Sequence, residues 1–203
     1  MKTQTKKSQN KLNPTKSINI LKKGNKRFVK NLKAQRDLSS QVKSTSKGQF
    51  PFAVVLSCID SRVPVELIFD QGIGDIFSVR VAGNIVNEDV LGSIEYSCKV
   101  AGSKVVVVLG HTKCGAVTAA CKKVELGNIT ALLSKIKPAV DFIEKDIKKF
   151  DNESIEKVVL KNIDFSVEQI RNESPILAEM EKNNEIQIIG ANYDVSTGKV
   201  VFI

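Results

Sequence analysis

Six residues, Gly110-His111-Thr112-Lys113-Cys114-Gly115, hold the single histidine of the 203-residue chain and a cysteine three positions after it. A second reactive cluster, Cys58-Ile59-Asp60-Ser61-Arg62, lies upstream. Two thiolates and one imidazole form a soft-to-borderline donor set that suits zinc. A nitrogen and a sulfur three residues apart, on a turn from strand to helix, can grip one ion. Cys58 becomes a third ligand if its loop lies beside that turn. Asp60 is the only obvious fourth donor in the two loops. Bound to the ion, it closes the site. Held elsewhere, it leaves the fourth position open to water, the condition for a catalytic zinc. Arg62 bears on that choice, because a carboxylate with an arginine two positions on can form a charge-assisted, often bidentate pair. Such a pair draws Asp60 off the metal, with lone pairs left to orient a metal-bound water by accepting its proton. A strong base is not needed, since zinc lowers the pKa of water from about 15.7 to roughly 7.

Two loops can meet only if the elements beneath them are neighbours. The segment "PFAVVLSC" (51–58) reads as a buried strand, and "VPVELIFD" (63–70) as a short helix ended by "QGIGD". A second strand follows in "IFSVRVAGN" (76–84). "EDVLGSIEYSCKVAG" (88–102) has helical spacing, with Leu91, Ile94 and Cys98 on one side. "SKVVVVLG" (103–110) is apolar throughout, as a central parallel strand requires. "CGAVTAACKKVEL" (114–126) starts a helix at the loop carrying His111. Residues 130–182 read as mostly helical, with boundaries at Pro138 and Pro175. The closing "EIQIIGANYDVSTGKVVFI" is a strand, a turn at Ser196-Thr197-Gly198 and a final strand. The alternation predicts an α/β fold: a mainly parallel central sheet flanked by helices, with a C-terminal antiparallel strand. Functional groups in such sheets gather at the carboxyl ends of strands. Both reactive clusters lie there.

The chain carries a net charge of +9, unevenly placed: residues 1–50 amount to +13 and residues 51–203 to −4. Residues 1–15 are expected to be a disordered basic tail, and residues 16–203 a single domain. Residues 16–37 place Ile18, Leu21, Phe28 and Leu32 at loosely helical spacing, which predicts one or two amphipathic helices. "SSQVKSTSKGQFP" (39–51) reads as a linker. A basic arm can touch nucleic acid, yet there is no Trp and Phe28 is the only aromatic before Phe50. Base stacking therefore has little to work with, and no nucleic-acid partner is expected. No apolar run reaches the roughly 20 residues of a membrane span, so no membrane is expected. With no apolar core of a secretory signal, the expectation is a cytoplasmic protein. Of the four cysteines, Cys98 and Cys121 read as core. No Cys-x-x-Cys pair is present, which speaks against thiol redox chemistry.

Taken together, "CIDSRVP", "VRVAGN" and "GHTKCGAV", with "LKKGNKRF" near the start and "YDVSTGKV" near the end, resemble the signature segments of the β-class carbonic anhydrases. The resemblance covers about residues 20–203. It implies reversible hydration of carbon dioxide to bicarbonate and a proton, by attack of zinc-bound hydroxide. One zinc ion per chain would be held by Cys58, His111 and Cys114, with Asp60 as fourth ligand in closed members of the family. Arg62 would form a dyad with Asp60. The family is built from homodimers, often paired as dimers of dimers, with N-terminal helices packing on the partner subunit.

The always-open type resembles this chain better than the type that closes at low pH. Gln49 stands where open members carry a glutamine that hydrogen-bonds substrate. Phe77 and Tyr96 match positions that line the pocket from the partner subunit, and Gly115 matches a backbone donor. Ala82 stands where Val is common, which implies a slightly roomier pocket. Val55 occupies the position of a Trp found in closing members. An apolar pocket suits carbon dioxide, and an N–H from Gln49 suits an oxygen on which charge develops. Hydration of carbon disulfide or carbonyl sulfide would use the same site and differ in pocket access. If His111 binds metal, no other histidine can shuttle the product proton, and export falls to water, Tyr96 or external buffer.

Two thiolates neutralise the charge of a divalent ion, so such a site acidifies water less than a three-histidine site does. Activity is therefore expected to rise above neutral pH. A pH–rate profile that is flat between about pH 6 and 9 contradicts this.

Overall fold

The computed structural model describes residues 2–203. Five strands form one sheet: β1 (Ala53–Ser57), β2 (Ile76–Arg80), β3 (Val105–His111), β4 (Gln187–Tyr193) and β5 (Val200–Phe202), in the order β2-β1-β3-β4-β5. The first four are mutually parallel, and β5 runs antiparallel to β4. All seven residues of β3 are buried, as its unbroken apolar run predicts for a central strand covered on both faces.

The period of two divides the core. Val54, Leu56, Val106 and Val108 point to one face. There they meet helices α5 (Glu88–Glu95), α6 (Gly115–Cys121), α8 (Lys137–Glu144), α9 (Asn152–Glu173) and α10 (Pro175–Lys182). Val55, Val107 and Leu109 point to the other face, against α2 (Pro14–Val29) and α4 (Val65–Ile68). A short helix α7 (Gly127–Leu133) connects α6 to α8. Leu91, Ile94 and Cys98 are buried together as their spacing predicts, and α5 continues into a π-helical turn, Tyr96–Val100. Pro138 and Pro175 both stand in first turns, where proline's missing N–H costs nothing.

Three expectations about the N-terminal part need correction. Residues 2–15 are not a disordered tail (Met1 lies outside the described residues). A capping box between Thr5 and Ser8 starts α1 (Lys6–Gln9). Gln9 is buried, and its amide donates to the carbonyls of Pro51 and Ala101 at 2.7 Å each. The lysines of this stretch face solvent, so composition alone hid the polar residues that attach it. The helix in residues 16–37 ends at Val29, and Leu32 is exposed rather than buried. Residues 39–51 are not only a linker, because Asp37 accepts from the Ser40 amide and caps α3 (Leu38–Thr45).

The segment "LKKGNKRF" acts at a close crossing. A Cβ on Gly24 would stand 1.7 Å from the Phe69 carbonyl oxygen, so α2 approaches the end of α4 as only glycine permits. Asn25 then bonds both neighbours: its amide donates to the Gly198 and Ile68 carbonyls, at 2.9 and 3.2 Å, and its oxygen accepts from Val200 N at 2.9 Å. Asp70, buried at the end of α4, pairs with Arg27 and Arg36 and fastens the chain after α2 to the same place. Among the described residues, no helix is long and apolar enough to cross a membrane.

Gly24→Ala must push α2 off backbone rather than off a flexible side chain. Its cost is expected at the upper end of the ~1–3 kcal/mol of core overpacking. Denaturant unfolding checks this, and a variant as stable as the parent contradicts the crossing described.

Candidate metal centre

The parallel register of β1 and β3 pairs Ser57 with Leu109, so the residues just beyond each strand end face one another. Cys58 follows Ser57 directly, His111 ends β3, and Cys114 caps α6. The Sγ of Cys58, a ring nitrogen of His111 and the Sγ of Cys114 all lie within 4.8 Å of one another, and all three residues are buried.

The chemistry of the donors fits a metal ion. His111 Nδ1 lies 2.9 Å from the Thr112 carbonyl, which makes Nδ1 the protonated nitrogen and leaves the Nε2 lone pair free. Nε2 is buried and has no hydrogen-bond partner. A buried nitrogen left so is costly unless something else takes its lone pair. Between the sulfurs, the Cys114 thiol donates to Cys58, which holds Cys58 well below the ordinary thiol range and pushes Cys114 up. The Gly83 amide also donates to Cys58 Sγ at 3.3 Å. Cys58 is thus already stabilised as a thiolate, the form that binds metal. Cys98 and Cys121 are different. Burial pushes their thiols up to about 12 and about 11, so they stay protonated core residues.

Asp60 turns to Arg62. The guanidinium donates from Nε to Oδ1 at 2.9 Å and from Nη2 to Oδ2 at 2.7 Å, and the Arg62 amide adds a bond to Oδ1 at 2.9 Å. These bonds, the Arg62 side chain first, lower the Asp60 carboxyl to about 2. Asp60 Oδ2 still stands 3.8 Å from His111 Nε2, so the carboxylate overlooks the three donors while bonded to the arginine. Arg62 Nη2 also donates to the Lys113 carbonyl at 3.2 Å and ties the two loops together.

The remaining residues singled out from the sequence divide into two groups. Ala82 opens a 3-10 turn, Ala82–Asn84, whose Gly83 amide reaches Cys58, and Gly115 follows Cys114 as the exposed first residue of α6. Phe77 and Tyr96 instead pack edge to face, centroids 6.2 Å apart, in an open cleft of about 720 Å³ that no Cys58, His111 or Cys114 side chain borders. Gln49 is exposed in the connection between α3 and β1. Within one chain these three are not gathered around the donors.

The sequence reading passed over Arg80. From the end of β2 it donates to the carbonyls of Cys58, at 3.1 Å, and Asp60, at 2.6 Å, and so holds the first loop from outside. Its place in "VRVAGN", opposite Ser57 in the register, was the available signal. Nothing in the local sequence marked Glu156, which accepts from the Lys113 amide across 43 residues.

The model of a family described as carbonic anhydrase matches residues 53–200. The chain belongs to the β-class carbonic anhydrase family. Carbonic anhydrase 2 of Mycobacterium tuberculosis is 33% identical over 195 residues, spanning 93% of this chain and 92% of that protein. The crystal structure of a β-carbonic anhydrase from Aspergillus fumigatus has a TM-score of 0.75 at 25% identity, with 81% of each chain covered. A tetrameric β-carbonic anhydrase of Sordaria macrospora has a TM-score of 0.71 at 20% identity, over 81% of this chain and 90% of that one. The parallel sheet with its antiparallel closing strand is the fold of this family.

The thiol environments have a chemical consequence. In metal-free protein near neutral pH, an alkylating reagent is expected to modify Cys58 before Cys98 and Cys121. Peptide mass mapping over time checks the order, and equal labelling of Cys98 and Cys58 contradicts it.

Proposed function

We propose that this chain is a carbonate dehydratase that binds one zinc ion through Cys58, His111 and Cys114 and interconverts carbon dioxide with bicarbonate and a proton. The observation that carries the reading is the Asp60–Arg62 pair beside three buried donors, one of them an unpartnered imidazole nitrogen. When bound, zinc supplies Lewis acidity, lowering the pKa of a coordinated water enough for it to act as a nucleophile near neutral pH.

The chain's own residues supply the rest. Asp60 is kept ionised by Arg62 and keeps acceptor capacity on the side facing the donors, so it can accept a hydrogen bond from the attacking water and orient it. Because Arg62 fills its bidentate face, Asp60 is not free to serve as a fourth ligand. Gly83 steadies the charge on Cys58, and Arg80 fixes the backbone between Cys58 and Asp60. Ala82 and Gly115 flank the ligands and border the space where substrate would sit.

The substrate pocket is completed, in this reading, by a second copy of the chain. Gln49, Phe77 and Tyr96 lie away from their own donors, as residues that serve a partner's site would. Ile59, Leu67, Tyr96 and Val100 are each more than half exposed, apolar side chains that a homodimer or a dimer of dimers would cover. The four unpaired cysteines fit a reducing compartment such as the cytoplasm.

The test measures zinc content and carbon dioxide hydration together for the wild type and Asp60→Asn. One zinc per chain is expected in both, with hydration lowered about a hundredfold or more in the variant. Wild-type protein that holds one zinc per chain and shows no hydration above buffer contradicts the reading.

A further inference from the structure

The turn between two of the proposed ligands has an unusual backbone. Lys113 stands between His111 and Cys114 with φ of +56°, in the left-handed region that side-chain-bearing residues rarely adopt. Such a residue stays there only when its surroundings hold it. Two bonds do so. The Lys113 amide donates to Glu156 Oε1 at 2.7 Å, and the Lys113 carbonyl accepts from Arg62 Nη2 at 3.2 Å. The orientation of this one residue therefore sets the angle between the His111 and Cys114 backbones. It also fixes one of the donors of the arginine that holds Asp60.

Glu156 is placed on α9, one turn in from its capping box at Asp151 and Ser154, a part of the helix already fixed at its N-terminus. Its second oxygen, Oε2, is buried with no hydrogen-bond partner. The Lys113 ammonium does not neutralise it and reaches Ser196 Oγ instead, at 3.3 Å. Burying a carboxylate oxygen unpaired is unfavourable, so packing alone gives no reason for an acid at this place. The same helix anchors the other half of the donor set. Asn162 Nδ2 donates to the Gly83 carbonyl at 2.9 Å, and Gly83 is the residue whose amide meets Cys58 Sγ. Polar groups of α9 thus reach the turns beside both cysteines.

We infer that Glu156 is a positioning residue of the metal centre: through the Lys113 amide it holds His111 and Cys114 at the spacing that grips the ion, and through the Lys113 carbonyl it steadies Arg62. The inference rests on the zinc reading given above. It places a specific hydrogen bond outside the ligands in control of metal affinity, as partners of ligands commonly are.

The experiment measures the zinc dissociation constant by chelator competition, with the thermal midpoint of the metal-free protein recorded alongside. Glu156→Ala removes the acceptor and is expected to weaken zinc binding about tenfold or more. Glu156→Gln keeps an oxygen for the Lys113 amide and is expected to stay within about threefold of wild type. Zinc affinity in Glu156→Ala within about twofold of wild type overturns the inference, as does a Glu156→Gln as weak as Glu156→Ala. Should Glu156→Ala fail to fold, Glu156→Asp decides. It keeps the charge one methylene short, and wild-type affinity there overturns the inference. If wild-type protein binds no zinc, the zinc reading itself fails and this inference falls with it; wild-type binding with indifferent variants removes this inference alone.

Discussion

The pair between Asp60 and Arg62 determines what the three buried donors beside it can become. Asp60 has only two places to put its charge: on a metal held by Cys58, His111 and Cys114, or on the guanidinium two residues away. The structure shows the second, with both carboxylate oxygens engaged and the carboxyl lowered to about 2. A carboxylate on the ion would complete a tetrahedral, structural site. A carboxylate on arginine would leave a bound ion three protein ligands and an open face, the arrangement of a catalytic site. Arg62 is itself held from the second loop. Its remaining hydrogen bond goes to the Lys113 carbonyl, so the loop after β1 is locked to the loop after β3.

That lock depends on the sheet. Parallel pairing of β1 with β3 and of β3 with β4 brings three strand ends to one edge, and each contributes. Cys58 follows β1, His111 closes β3, and β4 ends at Tyr193, whose carbonyl accepts from the Thr112 amide. On one face α9 reaches the turns at this edge with the polar side chains of Glu156 and Asn162, while apolar residues of α2 and α4 pack on the opposite face. The crossing at Gly24 and the Asn25 bonds to the β5 side show why the N-terminal helix belongs to the same unit as the site.

The strands, the parallel order and the donor residues were legible in the sequence because each is a local pattern. The apolar run of β3, the alternation in "IFSVRVAGN" and the spacing of Leu91, Ile94 and Cys98 depend on neighbours within a few positions. The errors fell where structure depends on distant partners. Residues 2–15 look disordered by composition, yet Gln9 finds carbonyls 42 and 92 residues away. Residues 39–51 look like a linker, yet Gln41 is buried and accepts from the Ile73 amide. Leu32 fits a helical period that the chain leaves at Val29. In the site, the ligands and the Asp60–Arg62 alternatives could be posed from sequence, but not decided. Arg80 and Glu156 act on backbone groups, and a contact to a backbone carbonyl or amide leaves no residue-type signal at its far end.

In the proposed reading, Cys58, His111 and Cys114 hold zinc while Asp60 remains on Arg62. A crystal structure of the zinc-loaded protein near neutral pH tests it most directly. One ion is expected on those three side chains, with a water in the fourth position and the Asp60 carboxylate bidentate to Arg62. An Asp60 oxygen bound to the ion, with Arg62 released, would contradict it.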